Sequence, residues 1–142
     1  PRSSPPQTAQ YRRLERMKTR FKFRVHHLKG YMHRWLFSMP WGGIRLHHIL
    51  RSDNDRHLHD HPWDFVSILL SSGYTEHTVN GSKYWPRFSI IKKKAEDRHR
   101  LELQNPIWTL VFTKPKRRDW GFWTENGFVH WRNYTEADYE MA

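Results

Sequence analysis

His57-Leu58-His59-Asp60-His61-Pro62-Trp63-Asp64 runs straight into Phe65-Val66-Ser67-Ile68-Leu69-Leu70 and stops at Ser71-Ser72-Gly73. Three imidazoles and two carboxylates fall within the first eight of these residues. Alternate side chains of an extended segment share a face, so His57, His59 and His61 project together. Two or three neutral nitrogen donors on one surface suit Zn, Fe, Mn or Ni. A solvated histidine-rich loop is the competing reading, in a chain that holds 11 histidines. The apolar run that follows predicts a strand buried on both faces.

Outward from this stretch, short extended segments recur. Tyr31–Phe37 and Ile44–Leu50 flank Pro40-Trp41-Gly42-Gly43, which reads as a turn. Tyr74–Val79 leads into Asn80-Gly81, the strongest hairpin signal in the chain. Arg87–Ile91, His99–Leu103, Trp108–Thr113, Gly121–Trp123 and Phe128–Trp131 complete the series. Many short strands at regular spacing predict an all-β barrel or sandwich. The front of the chain differs. Ser4 can cap a helix, Pro5 suits its first position, and Gln7 completes the capping box. A basic helix is expected from about Pro5 to Arg20, with Tyr11, Leu14 and Met17 at three-residue spacing. The chain is thus divided into a basic helix or arm over 1–24 and a β-domain over 25–142.

Composition bounds the class. At 142 residues the chain is long enough for one cored domain and too short for two. Aromatic residues make up 15%, including eight Trp and eight Phe, so the core is expected to rest on a few large rings. The sequence contains no cysteine, which excludes disulfides, zinc ribbons and thiolate nucleophiles. No apolar run approaches the roughly 20 residues needed to cross a bilayer, and no signal-like stretch opens the chain. A cytoplasmic location is the expectation. Lys and Arg exceed Asp and Glu by 25 to 14, a formal charge of +11, which attracts polyanions whatever the fold. The basic residues cluster at Tyr11–Arg24, Lys92-Lys93-Lys94 and Lys114–Arg118, without any recognised nucleic-acid-binding signature.

At His59-Asp60-His61 and Gly73 the sequence resembles the first motif of the cupin superfamily, small β-barrels of the jelly-roll type. Glu96 to Leu103 is similar to the second motif, with His99 as its single histidine, and Trp108–Phe112 matches the strand after it. The phrases around these motifs look like those of small cupins from phage and bacterial genomes. The resemblance implies a jelly-roll barrel with a divalent metal (Fe, Zn, Mn or Ni) on His59, His61 and His99. The motif departs at its glutamate, where this chain has Val66, and at its asparagine, where it has Leu103. Asp64 is the substitute carboxylate and the expected fourth ligand. A three-histidine site without carboxylate also occurs among cupins of the thiol dioxygenase type. His57 is left as a ligand, a supporting partner or a surface residue, and Asp60 is expected to cap or brace the chain.

Three protein ligands leave open positions on a metal for water, O2 or a chelating substrate. Arg45, His47, Tyr74, Glu76 and Arg100 are expected at the barrel mouth. Arg45 and Arg100 would grip a small anionic substrate by bidentate contacts, and Tyr74 joins them as a catalytic candidate. The resulting expectation is a metal-dependent enzyme of oxygenase or isomerase type. The alternative is a non-catalytic binding or structural module, holding nucleic acid or an assembly partner through its basic helix. Trp41, Trp85 and Trp120 would then stack on bases. A homodimer is a further expectation. No G-x-S-x-G elbow or glycine-rich phosphate loop is present.

Overall fold

The computed structural model describes residues 20–53 and 57–134. The helix expected from Pro5 lies, apart from Arg20, outside the described residues. Strand order is β1 (Lys22–Leu28), β2 (Met32–Met39), β3 (Gly42–Ile49), β4 (Leu58–His59), β5 (Phe65–Leu69) and β6 (Tyr74–Thr78). It continues with β7 (Gly81–Trp85), β8 (Ile90–Lys93), β9 (His99–Glu102), β10 (Ile107–Thr113), β11 (Gly121–Thr124) and β12 (Gly127–His130). These form two six-stranded sheets, β1-β2-β3-β10-β5-β8 and β12-β11-β4-β9-β6-β7. All pairings are antiparallel. Consecutive strands repeatedly lie in opposite sheets, as β4, β5 and β6 do, which is the double-sheet solution that limits exposed edges.

The turns follow their residues. Asn80-Gly81 makes the β6–β7 hairpin with Gly81 at φ 112°. Pro40-Trp41 reverses the chain between β2 and β3. A Cβ on Gly42 would lie 2.1 Å from the Thr113 carbonyl oxygen, so only glycine lets β3 approach the end of β10. The expected strand over Arg87–Ile91 begins instead at Ile90, because Pro86 to Ser89 form a turn with Phe88 at φ 68°.

Between the sheets, Met32, Ile49, Leu69, Tyr74, Ile91 and Ile107 form the buried core. The apolar run that predicts a doubly buried strand is β5, and there the expectation changes. Ser67 and Leu69 on its inner face are buried, whereas Phe65, Val66 and Ile68 are only half-buried. Val66 and Ile68 share the outer face with Phe112, their neighbour on β10, which is 40% exposed. The whole outer surface of this sheet is rich in large apolar side chains, including Phe23, Val25, Phe37 and Ile90. Across it runs an aromatic ladder in which His48 stacks on Trp108 at 4.3 Å and Trp108 on Trp35 at 5.6 Å.

Candidate metal centre

β4 is only two residues long, yet it bridges two strands: His59 pairs with His99 on β9 and with Phe122 on β11. That register sets two histidines from distant parts of the chain side by side. Beyond β4 the backbone is stapled on both sides. Asp60 N–H donates to the Gly121 carbonyl and His61 N–H to that of Ala95. The Asp60 side chain is almost wholly buried and accepts from Gly121 N–H and Trp123 Nε1, both at 2.9 Å, while Arg118 pairs with it at 2.8 Å. This is the bracing role expected of Asp60, and it fixes where His61 enters the interior.

His59, His61 and His99 converge, with one ring nitrogen from each lying within 4.8 Å of the others. Their ring centroids are 4.8–5.2 Å apart. Glu76 determines which nitrogen of His99 is available: its Oε1 accepts from Nδ1 at 2.5 Å. The proton therefore sits on Nδ1, and Nε2 presents its lone pair inward, 3.2 Å from Nε2 of His61. Burial is the main reason that His59 is pushed down to about 4, and burial followed by its histidine neighbours lowers His61 well below the usual imidazole range. Neutral imidazoles at pH 7 are the form a metal needs. The donor set therefore fits a divalent ion of the Zn, Fe, Mn or Ni type.

The surrounding groups were only partly legible in the sequence. Glu76, expected at the mouth, is fully buried on β6, where it also accepts from Trp85 Nε1 at 2.9 Å and pairs with Lys93 at 2.7 Å. Burial alone would raise its carboxyl, but the bonds from His99, Lys93 and Trp85 prevail and hold it at about 2. Asp53, not singled out in the sequence, lies 3.9 Å from His59 Nδ1 and accepts from Leu101 N–H and the Tyr31 hydroxyl. A histidine at the centre with a carboxylate behind it is the pattern that orients metal ligands. Replacing Glu76 with Gln is expected to weaken metal affinity about 10- to 100-fold, read by competition with a chelator of known affinity. An unchanged affinity would show that Glu76 serves the fold alone.

Several expected participants are elsewhere. Asp64 is not at the cluster: its Oδ1 accepts from Ala95 N–H at 2.9 Å and from Arg117 at 2.7 Å, and Arg117 also pairs with Glu96. His59, His61, Trp63, Phe65 and Ser67 all line the interior, so the alternation runs on through Pro62-Trp63 and leaves Asp64 on the opposite face. His57 bonds to the Tyr134 hydroxyl at 2.8 Å, outside the cluster. Arg100 sits on β9 between His99 and Leu101, which both face the interior, so its side chain lies on the opposite face. Two members of the basic run Lys114–Arg118 are spoken for by the carboxylates of Asp60, Asp64 and Glu96. Of the three tryptophans, Trp85 packs against the core, Trp120 lines the cavity and stacks on Trp131, and Trp41 is exposed beside Phe21.

The cluster opens into a cavity of about 250 Å³ between the sheets. Its floor is the core itself, since Met32, Ile49 and Tyr74 belong to both. Arg45 and His47 enter it from β3 and Arg34 from β2, and Trp63, Phe65 and Trp120 also line it. Tyr74, expected at the mouth, lies instead on the floor, where burial and then Glu76 and Asp53 push its hydroxyl pKa up.

No family profile matches the sequence, and no curated protein is detectably similar to it. Solved structures are. The fold is similar to the cupin-2 domain Rru_A2000 from Rhodospirillum rubrum, at TM-score 0.58 and 12% identity over 75% of this chain and 78% of that one. It is similar to AerE from Microcystis aeruginosa, at TM-score 0.56 and 15% identity over 73% of this chain, which spans about half (54%) of AerE. The Fe(II) form of HppE matches at TM-score 0.51 and 8% identity, over 68% of this chain and 58% of that protein. The fold is therefore similar to that of solved cupin structures. Among the described residues no helix is long and apolar enough to cross a membrane.

Proposed function

We propose that this protein is a small metal-dependent cupin enzyme acting on a small anionic substrate, by oxygen activation or by isomerisation. The observation that carries the reading is the convergence of His59, His61 and His99, with His99 turned by Glu76 so that its free lone pair faces its neighbours. A similar fold in HppE holds Fe(II), which supports the choice of a redox-capable ion. A divalent metal, when bound, supplies Lewis acidity and, as Fe(II), a centre for O2. The chain's own residues do the rest. Arg45 presents a guanidinium to an acid group, with its plane laid over the Trp63 ring at 3.9 Å. Tyr74 keeps its proton and offers a hydroxyl from the cavity floor. Phe65 and Trp120 exclude water from the histidine side.

Metal analysis of protein purified without chelator or affinity tag is expected to find about one divalent ion per chain. Adding that ion at 100 times its dissociation constant stabilises the fold by about 2.7 kcal/mol, a rise of several degrees in Tm. Protein that takes up none of Fe, Zn, Mn or Ni would refute the reading. Substrate-dependent O2 consumption after anaerobic Fe(II) loading identifies the oxygenase form. Turnover with Zn or Mn in the absence of O2 identifies the isomerase form.

A further inference from the structure

The wall of the cavity facing the histidines carries two arginines, Arg34 and Arg45, that no carboxylate among the described residues pairs with. Arg34 and Arg45 project from adjacent strands into the same space: Arg34 is paired with His47 and Arg45 with Leu36, which makes the two arginines diagonal neighbours on the inner face. Among the described residues neither has a carboxylate partner, and no Asp or Glu lines the cavity. Among the described residues Arg34 reaches His26 Nδ1, through one terminal nitrogen. Both Nε atoms are buried without a hydrogen-bond partner, and so is Nε2 of His47 between them. Burial depresses both guanidiniums, and Arg34 adds to the depression of Arg45, to about 10. His47 stays neutral, pushed down to about 3 by burial and then by the same two arginines.

Buried donors without acceptors are costly, and two like charges facing each other make the cost larger. Such an arrangement persists where an anion completes it. A metal on the three histidines would add two more positive charges across the same space. A monoanion placed at one end leaves the other uncompensated. The cavity, about 250 Å³, is on the scale of a site for a small molecule.

We propose that the ligand of this cavity is a small diacid, one acidic group directed to the metal and the other held by Arg34, Arg45 and His47. The proposal rests on the metal reading above for its first group and on the arginine pair for its second. Arg34 and His47 are thereby specificity-determining residues, selecting for a second acidic group rather than for acidity in general.

Calorimetry on Zn-loaded protein tests this with three probes: acetate, succinate and phosphonoacetate. Succinate or phosphonoacetate is expected to bind at least about 10-fold more tightly than acetate, as one additional charge-assisted contact requires. Which of the two binds better tells whether the second group is a carboxylate or a phosphoryl-type acid. In Arg34→Met and Arg45→Met variants that still take up one Zn per chain, the gap to acetate should fall below about 3-fold, with acetate itself changing little in Arg34→Met. Equal binding of all three probes by the Zn-loaded wild type would overturn the diacid assignment while leaving the metal site standing. Failure to load Zn, or any other of the four metals, would remove both.

Discussion

Replacing His59 and His99 together with alanine abolishes stoichiometric metal binding and leaves a folded barrel. The loss should exceed the roughly 10- to 100-fold expected of an outer partner such as Glu76, because two of three donors are gone. The metal-dependent rise in Tm should vanish with it. The fold survives because neither ring belongs to the apolar core, which lies beneath the cavity. Glu76, having lost His99, keeps Lys93 and Trp85 as partners. The expected cost is about 1–3 kcal/mol for the weakened network, measured by urea unfolding of metal-free protein. His57→Ala and Asp64→Ala are the matched controls and should retain full metal uptake, since both side chains are engaged outside the cluster. Metal loss in Asp64→Ala, or its retention in the double variant, would relocate the site.

Asp60→Ala carries the largest expected effect on stability, about 3–5 kcal/mol. Its carboxylate is only 1% exposed and serves Gly121 N–H, Trp123 Nε1 and Arg118 at once. Truncation leaves two buried donors and a half-buried guanidinium without that acceptor. Asp60→Asn keeps an acceptor for one donor and gives up the ion pair, so its loss should be intermediate. Because the same bonds hold the chain that delivers His61, metal affinity should fall in parallel with stability. Denaturant midpoints and metal titrations on the two variants would show this, and a loss below about 1 kcal/mol in Asp60→Ala would mean that Arg118 and Trp123 find other acceptors.

The two variants draw on different kinds of information. The histidines were legible because strand alternation is local: His59 and His61 had to share a face, and the spacing to Gly73 and His99 resembled a known pattern. Asp60 could be set apart by the same alternation. Asp64 falls to the same test: it shares the face of Val66, the motif's glutamate position, and alternation sets that face opposite His59 and His61, where its carboxylate meets Arg117. Arg100 failed for a related reason. With His99 expected inward as a ligand, alternation alone leaves its neighbour Arg100 on the opposite face.

Glu76 and Arg34 mark the other limit. The sequence places Glu76 no closer than the barrel mouth, and only the pairing of β6 with β9 sets it behind His99. Arg34 sits in a strand full of aromatics and basic groups, with nothing local to distinguish it from a surface arginine. Its place beside Arg45 depends on the β2–β3 register.

The sequence by itself therefore determined the all-β class, most of the strands and the His59–His61 pair, which follow from periodicity along a few residues, while His99 entered through the resemblance of its segment to a known motif. Tertiary structure alone decided which carboxylates support the histidines, which are spent on arginines at the surface, and which arginines are left unpaired within. Those outcomes turn on pairings between segments tens of residues apart, where one residue of register moves a side chain from the cavity to the solvent.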